Sequence, residues 1–303
     1  WRNDASDNWN TPLNWVPAGV PNSSAQTVTF GGVITAPRIV YSVTDVTVNK
    51  INFLSGYTYV IAGHGTVNLD AGSSTDPSAV DVLLGSHEFQ AAVSLNNDTE
   101  VTLSSGSSLT FNNALNLNDN TLTKFGDGEM KIRNDLVTSG GVIDVQGGTV
   151  SGNGTVGGDL ANPAGKIAPG NSPGILSVDG NYTQSAGGTL EIELASNGGV
   201  AGTDHDRLAV TLAASLDGAL DLQLDGGYSP TIGDSFAGIV TAGALSGQFA
   251  TTSNVVVDGR RGVAVTYTGM AVDAQIGLRG NTDIASGDID VDTSDLTTSI
   301  INF

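Results

Sequence analysis

The stretch from Thr121 to Val156 reads TLTKFGDGEMKIRNDLVTSGGVIDVQGGTVSGNGTV, and it decides the fold of this 303-residue chain. Short groups of apolar and β-branched residues recur in it every seven or eight positions, separated by glycine, asparagine or aspartate. A helix would instead repeat its apolar residues with a period of about 3.6. Glycine adopts the positive φ angles that tight corners need, so short strands joined by such corners can stack coil upon coil. The stretch therefore predicts a parallel β-solenoid.

The apolar positions of this stretch are expected to point into the core, and its glycines are expected to form the corners. Strands this short cannot bury a face alone, so the pattern requires stacking. The inward candidates are Leu122, Met130, Ile132, Val142, Ile143, Val145, Val150 and Val156. The corner candidates are Gly126, Gly128, Gly140, Gly141, Gly147, Gly148, Gly152, Gly154 and Gly157.

The same rhythm runs from Val40 to about Ile167. The steps from Val93 to Val101 and from Val101 to Leu109 are each eight residues. Three such steps give a coil of roughly 22 residues, as in three-sided solenoids, and predict about six coils in this segment. The inward candidates upstream of Thr121 are Val46, Val48, Ile51, Phe53, Val60, Val67, Leu69, Val80, Val82, Leu84, Val93, Leu95, Val101, Leu103, Leu109, Phe111, Leu115 and Leu117.

Two motifs resemble a known family. The run Leu122-Thr123-Lys124-x-Gly126-x-Gly128-x-Met130-x-Ile132, followed by Gly147-Gly148-Thr149-Val150, looks like the autotransporter-associated β-strand repeat of secreted and surface-displayed bacterial proteins. The segment from Ile167 to Gly174 is similar to the one that follows the last such repeat in many of these chains. The resemblance covers residues 90–278 or so. It implies a solenoid outside the cell or at the cell surface, and it implies no reaction.

The chain is strongly acidic, with 31 Asp and Glu against 11 Lys and Arg and a formal net charge of −20. Such a surface repels phosphate backbones and anionic lipid, so we expect no nucleic-acid partner. No apolar run reaches the roughly 18 residues of a membrane span, so we expect none. The absence of cysteine excludes disulfides and thiolate metal sites. Because the chain starts at Trp1 rather than Met, we expect that a signal peptide was removed or the chain was trimmed. Because it stops within the apolar run 300–303, we also expect the gene product to continue beyond Phe303.

Residues 1–40 differ from the rest and are predicted to form an N-terminal cap. All three tryptophans, Trp1, Trp9 and Trp15, lie here among asparagine, aspartate and proline. The first coil of a solenoid needs shielding, because an open end exposes apolar core and unpaired backbone groups. An alternative is that the three indole rings form a platform on which sugar rings stack.

Residues 41–174 are thus assigned to solenoid coils, and residues 175–278 to a C-terminal β domain or solenoid cap. In the second region apolar residues alternate with a period of two in longer segments, such as residues 190–194 and 263–267. Turn signals rich in aspartate, glycine and proline separate these segments. The pattern predicts antiparallel hairpins that close the C-terminal end, and no helix before residue 279.

Residues 279–303 are acidic and then take on a helical pattern that looks like half of a dockerin-like calcium repeat, the kind that docks secreted components together. The segment departs from that pattern, because Ile284 and Ile289 stand where a twelve-residue loop wants a liganding aspartate and a glycine. The candidate calcium ligands are Asp288, Asp290, Asp292 and Asp295. The alternative is a solvated acidic linker or an assembly strand, with Ile300, Ile301 and Phe303 as its self-association residues.

Two polar clusters invite a chemical interpretation. His205 lies in the dense polar group 203–207, where Asp-His-Asp ligation or acid/base chemistry is one alternative and a polar loop before the strand 208–210 is the simpler one. Glu191 and Glu193 share one strand face about 7 Å apart, a separation that suits paired glycosidase carboxylates in principle. The solvent face of an amphipathic strand is the simpler interpretation of that pair.

Basic residues are few, and three of them lie close together in the chain. Lys124, Lys131 and Arg133 stand near Asp127 and Glu129, which suggests a salt-bridged outer face. A polysaccharide lyase would need a basic residue facing an acidic cluster in a groove, and parallel β-helices do carry such enzymes. The sequence contains no phosphate loop, dinucleotide fingerprint or nucleophile elbow.

These observations predict a non-enzymatic structural or adhesive surface protein that associates with copies of itself, forming a fibre or coat. Its other expected partners are cell-surface polysaccharide or another extracellular protein. The alternatives are a carbohydrate-binding or polysaccharide-cleaving β-helix module, and a passive rigid spacer that presents another domain. No cofactor is expected other than calcium in the C-terminal segment.

Overall fold

The computed structural model describes residues 1–73, 75–133 and 140–278. These residues form β-strands throughout, and the helical structure among them is one 3-10 turn at Pro12–Asn14. In chain order the strands are β1 (Asp7–Asn8), β2 (Ser23–Phe30), β3 (Arg38–Ser42), β4 (Val46–Leu54), β5 (Tyr59–Gly63), β6 (Val67–Leu69), β7 (Ser78–Leu84), β8 (Ser86–Phe89), β9 (Val93–Leu95), β10 (Thr99–Leu103), β11 (Ser108–Phe111), β12 (Leu115–Asn116), β13 (Thr121–Phe125), β14 (Glu129–Ile132) and β15 (Val142–Val145). They continue with β16 (Thr149–Gly152), β17 (Thr155–Val156), β18 (Asp159–Asn162), β19 (Lys166–Pro169), β20 (Ile175–Val178), β21 (Tyr182–Gln184), β22 (Thr189–Leu194), β23 (Arg207–Val210), β24 (Ala213–Leu216), β25 (Ala219–Leu224), β26 (Ser235–Thr241), β27 (Ala244–Gly247), β28 (Thr251–Ser253), β29 (Arg261–Tyr267) and β30 (Ala271–Leu278).

The strands form two long parallel sheets and one shorter mixed sheet. Sheet A has 11 strands in the order β1-β3-β5-β8-β11-β14-β16-β19-β22-β25-β28. Sheet B has 13 strands in the order β12-β9-β6-β4-β7-β10-β13-β15-β18-β21-β24-β27, with β2 also beside β4. Sheet C has 6 strands in the order β17-β20-β23-β26-β30-β29. These sheets confirm the predicted parallel β-solenoid.

A complete coil within the described residues contributes three strands, one to each face of the solenoid, as β10, β11 and β12 do. Strand β4 is long enough to pair with β6 through its first half and with β7 through its second half. The first half of β4 begins the third face of the solenoid, which continues through β6, β9 and β12. Further along the chain, strands β17, β20 and β23 belong to the third face. Six steps of sheet A separate β3 from β19, which matches the predicted number of coils in this segment.

Apolar residues of successive coils lie directly beside one another in the core. Leu122 pairs in register with Ile143, Ile143 with Leu160, and Leu160 with Tyr182. All four side chains are buried. Each coil therefore covers the apolar face of its neighbour, and this burial, worth about 25 cal/mol per Å² of apolar surface, is the main force holding the stack together.

The coils differ in length although their strands remain aligned. The predicted spacing of roughly 22 residues is found in the middle of the chain, for example between Phe89 and Phe111. The step from Val150 to Ile167 is shorter, at 17 residues, and that from Leu220 to Thr252 is longer, at 32. The differences lie in the corners, so insertions there leave the core unchanged.

Most of the predicted inward residues are buried, with three exceptions. Val60 faces outward because Tyr59 and Ile61 take the inward positions of β5, and the Tyr59 hydroxyl reaches the Gly31 carbonyl oxygen at 2.8 Å. Leu84 is exposed because the pairing of β4 with β7 shifts register at this point. Val142 is half-buried on the outer side of β15. In a short run of consecutive apolar residues, either the odd or the even positions can face the core, and the sequence pattern does not distinguish the two arrangements.

Five of the nine corner candidates have the positive φ angles that tight corners need, namely Gly126, Gly140, Gly141, Gly148 and Gly152. The other four, Gly128, Gly147, Gly154 and Gly157, do not. The Gly148 corner shows why side chains are excluded: a Cβ there would lie 2.3 Å from the Gly126 carbonyl oxygen of the preceding coil. Backbone packed this closely leaves no room for any other residue.

The antiparallel C-terminal cap is confirmed, but it begins later than expected. Strands β20 to β28 all pair in parallel with the coils before them, so the expectation of hairpins throughout 175–278 is wrong up to Ser253. Antiparallel pairing involves β30, which lies between β26 and β29. The two-residue alternation misled the prediction, because parallel solenoid strands with one solvated face alternate in the same way as hairpin strands.

Within the described residues, no helix has the length and apolar character needed to cross a membrane.

Candidate functional site

A polar groove crosses the outer face of sheet A between β14 and β22. Its floor is made of short residues on the two intervening strands, including Ser151 and Gly152 on β16 and Ala168 and Pro169 on β19. Long charged side chains on β14 and β22 form its two walls. Three strand spacings separate the walls, about 14 Å between their backbones. The groove has a volume of about 230 Å³ and exists because small residues stack between large ones.

The wall on β14 carries two cations. Lys131 Nζ lies 3.0 Å from Glu129 Oε2, and Ser151 Oγ donates a hydrogen bond to Glu129 Oε1 at 2.6 Å. This carboxylate is therefore held at both oxygens. Arg133 is exposed and donates from Nη2 to Asn171 Oδ1 at 3.0 Å. The predicted salt-bridged outer face is thus present at Lys131 and Glu129.

The wall on β22 carries Glu191 and Glu193, which point outward because the alternate residues of this strand are buried. Lys166 Nζ lies 2.5 Å from Glu191 Oε2. Glu193 Oε2 is buried and accepts no hydrogen bond from any described residue. A buried carboxylate oxygen without a donor is unfavourable.

Asp206 closes one end of the groove. Its side chain is buried, and its two oxygens accept hydrogen bonds from the backbone N–H of Gly174 at 2.7 Å and of Glu193 at 2.9 Å. The pKa of Asp206 is raised to about 7, first by burial and then by the nearby Glu193 and Glu191 carboxylates, against the two backbone donors, which lower it. A Cβ at Gly170 would lie 2.4 Å from Asp206 Oδ1, so this corner also fits closely around the carboxyl group.

The polar group around His205 does not form a single site. Asp204 accepts hydrogen bonds from Ser196 Oγ and from the Val200 N–H at 2.8 Å. His205 points into the core, where its ring meets Phe236 edge-on at 5.7 Å and burial lowers its pKa. The three side chains point in different directions, so the Asp-His-Asp alternative is wrong. The segment precedes β23, as the polar-loop interpretation requires, but all three residues are buried.

Lys124 is the residue that sequence reasoning misplaced. It is fully buried, whereas the outer face was expected, and its Nζ donates to the carbonyl oxygens of Phe125, Gly126 and Gly147 at 3.3, 2.5 and 2.8 Å. Burial lowers its pKa to about 8. The sequence could have indicated this position, because residues two apart in a strand face the same side and Lys124 lies two positions after the inward Leu122.

The three tryptophans pack on one another at the N-terminal end of the core. The Trp9 and Trp15 ring centroids are 5.0 Å apart, those of Trp1 and Trp15 are 5.2 Å apart, and Phe30 lies against all three rings. Trp9 and Trp15 are buried, and their indole N–H groups donate to the carbonyl oxygens of Pro21 and Trp9. The sugar-stacking alternative needs exposed ring faces, and these two rings offer none.

One strand at the C-terminal end has a free side. In the part of the chain that the structure describes, β28 is the last strand of sheet A and pairs only with β25. The neighbouring end strand of sheet B, β27, is partly covered, because the Leu245 N–H donates to the Gly269 carbonyl oxygen at 2.8 Å. The β28 strand is three residues long and mostly exposed.

The remaining predicted site residues lie outside the described residues. They are the calcium candidates Asp288, Asp290, Asp292 and Asp295 and the self-association residues Ile300, Ile301 and Phe303. Within residues 1–73, 75–133 and 140–278, no group of three or more His, Asp or Glu side chains is arranged to hold a metal ion.

Fold and surface together define the class of protein: a parallel β-solenoid with an aromatic plug at its first coil, a charged groove on one face and, within the described residues, an unpaired strand edge at its far end. No protein-family model matches the chain, and no curated protein shows significant similarity to it.

Proposed function

We propose that this protein is an extracellular structural or adhesive module that associates with copies of itself, into a fibre or coat, through the free edge of β28. In this proposal it works through shape and contact rather than catalysis. The observation that carries the proposal is the open side of this strand at the end of an 11-stranded parallel sheet. The extracellular location rests on the resemblance of residues 122–150 to a repeat of surface-displayed proteins.

The backbone of β28 supports this proposal. The Thr251 N–H donates to the Gly218 carbonyl oxygen at 3.1 Å, on the side of the preceding coil. Because backbone groups alternate along a strand, the N–H and C=O of Thr252 face the opposite, free side. Unpaired groups of this kind are a template for another strand, and natural proteins either block or use them.

The N-terminal end differs from this edge. There the tryptophans and Phe30 close the core, as terminal coils of solenoids require. A strand donated by a second copy would therefore meet the C-terminal end of its neighbour, as in strand addition to an exposed sheet edge. Ile300, Ile301 and Phe303 are the predicted donor residues. A contact of this type that does not close on itself generates a filament.

Electron microscopy of the purified chain tests the proposal directly. We expect filaments or ordered multimers from residues 1–303 and monomers from residues 1–278. Thr252→Pro removes the free N–H without removing the hydrogen bond of Thr251, so it should prevent assembly while the β-rich circular dichroism spectrum remains. Thr252→Ala is the matched control, because it keeps the N–H and should assemble normally.

Two results would count against self-association at this edge. One is a full-length chain that stays monomeric by light scattering at every concentration tested. The other is assembly that persists unchanged in the Thr252→Pro variant, which would place the contact elsewhere on the surface.

A further inference from the structure

We propose that the groove between β14 and β22 binds a neutral, hydroxyl-rich saccharide unit. This inference does not depend on self-association, because the groove lies on the side of the solenoid and not at its end. Its argument rests on the hydrogen-bonding groups of the two walls, on the charge around them and on the shape of the floor.

The walls present strong donors on one side and strong acceptors on the other. Arg133 and Lys131 can only donate hydrogen bonds, whereas ionised Glu191 and Glu193 can only accept them. A hydroxyl group does both, since it has one donor and two acceptor lone pairs. Neighbouring hydroxyls on a sugar ring can therefore bind a carboxylate and a cation at once. Glu191 has 24% of its side-chain surface accessible beside Lys166, and Glu193 is half-buried on the same wall.

Local charge favours a neutral ligand over an acidic one. Lys131 and Lys166 are each paired with a glutamate of the groove, at 3.0 and 2.5 Å. Glu193 and the exposed Arg133 add one charge of each sign, so the charges of the groove are close to balanced, and the field at longer range is that of the whole chain, with a formal net charge of −20. An acidic saccharide would be repelled by this field. A neutral sugar has no such penalty and still offers hydroxyl donors to the Glu191 and Glu193 carboxylates.

The floor provides the apolar contact that a sugar ring also needs. Ala168, half-buried on the outer side of β19, lies between the charged walls and presents its methyl group to the groove. This small apolar surface suits the C–H face of a pyranose, while the ring hydroxyls reach the walls. The volume of about 230 Å³ is smaller than the roughly 300–1,000 Å³ of drug-sized pockets. One sugar unit of a longer chain therefore fits better than a whole oligosaccharide.

A glycan array tests the proposal on the full chain. The probes are immobilised neutral oligosaccharides, oligosaccharides containing uronic acids and oligosaccharides containing free amino sugars. We expect binding to members of the neutral set, followed by a dissociation constant for the best of them from isothermal titration calorimetry. Because the groove is open and small, we expect affinities in the millimolar to micromolar range, about 10⁻³ to 10⁻⁵ M.

Two variants locate the binding in the groove. Ala168→Phe fills the floor, and its matched control is Ala62→Phe, which places the same ring on the outer face of sheet A at β5, outside the groove. Glu193→Gln keeps the size of the side chain and removes its negative charge. Its control is Glu100→Gln, at an exposed position of β10 in sheet B. We expect Ala168→Phe to abolish binding and Glu193→Gln to weaken it roughly tenfold, the loss of one charged hydrogen bond. Both controls should bind as the wild type does.

The proposal is overturned if no neutral oligosaccharide binds at millimolar concentration, or if binding survives in both Ala168→Phe and Glu193→Gln. Binding confined to the amino-sugar set would also overturn it, because the groove would then recognise positive charge rather than hydroxyls. If the thermal transition shows that Ala168→Phe is unfolded, Glu193→Gln still tests whether binding occurs in the groove, because it leaves the side-chain volume almost unchanged.

Discussion

The Lys124 ammonium group lies 2.8 Å from the carbonyl oxygen of Gly147, one coil further along the solenoid. It also reaches the Gly126 carbonyl oxygen at 2.5 Å, so a buried cation joins the corners of two successive coils. Further along sheet B, Asn162 and Gln184 are the last residues of their strands, and they donate to the carbonyl oxygens of Thr189, at the start of β22, and of Asp217, in a corner. Polar side chains at the inward ends of these strands thus satisfy backbone groups that the corners leave unpaired.

Removing the Lys124 ammonium group should destabilise the protein. We expect Lys124→Met to lower the free energy of unfolding by about 1–3 kcal/mol, because buried carbonyl oxygens at two corners lose their donor. Equilibrium urea unfolding measures the change. Lys50→Met is the matched control, since Lys50 is paired with Asp81 on the outer surface and surface pairs contribute at most about 1 kcal/mol.

The same residue should make stability depend on pH. Burial lowers the pKa of Lys124 from 10.5 to about 8, so between these values the unfolded chain binds more protons than the folded chain. Stability therefore rises with pH over this window. The free energy of unfolding of the wild type minus that of Lys124→Met should increase from pH 8 to pH 10.5. A difference that stays flat would show that the ammonium is not buried as described.

A methyl group at Gly148 should be far more harmful than one at another left-handed glycine. Its Cβ would lie 2.3 Å from both the Gly126 carbonyl oxygen and Lys124 Nζ, at a φ of +63°. Gly106 has a similar φ of +76° but open space around it. We expect Gly106→Ala to cost about 1–2 kcal/mol from backbone strain alone, and Gly148→Ala to cost clearly more. Equal losses in thermal unfolding would contradict the close approach of the coils.

Asn97 should be essential for the corner that it fills. Its Oδ1 accepts hydrogen bonds from the Ala71 N–H and Ser78 Oγ, and its Nδ2 donates to the carbonyl oxygens of Asp76 and Asp98. Asn97→Leu should lower the free energy of unfolding by roughly 3 kcal/mol, because several buried groups lose their partners together. The neighbouring exposed Asn96 provides the control, and Asn96→Leu should change stability by about 0.5 kcal/mol or less.

Asp206 should contribute to the free energy of unfolding at low pH, and this contribution should be lost as the pH rises. Its pKa is raised from 3.8 to about 7, so between these values the folded chain binds more protons than the unfolded chain. Its contribution is complete below about pH 4 and is lost as the pH rises to 7. The free energy of unfolding of the wild type minus that of Asp206→Asn should therefore fall across this window. A rise instead would mean that the two backbone donors outweigh burial.

Much of the fold could be predicted because its causes are local. Glycine at positions such as Gly126 and Gly148 fixes corners through φ, and alternation around Leu122 and Met130 fixes which side chains face the core. Predictions failed where local rules allow two outcomes. The run at Val60 has apolar residues on both faces, and strands after Gly174 alternate alike whether they pair in parallel or antiparallel.

The groove could not be predicted in the same way. Its walls are separated in sequence by about sixty residues, from Lys131 to Glu193, and Asp206 is further still. Which residues of different coils become neighbours depends on the lengths of all intervening corners, and these vary between coils. Glu191 and Glu193 were recognised as a pair, but nothing local indicated that Arg133 faces them.

The sequence alone determined that this chain turns at glycines, alternates its apolar residues and so must stack as a solenoid, because steric freedom and burial act within a few residues of each position. Tertiary structure alone decided that Lys124 points inward between two coils, that β28 pairs with a single strand among the described residues, and that a charged groove crosses sheet A. Each of these depends on the register between coils, which is set by the whole path of the chain.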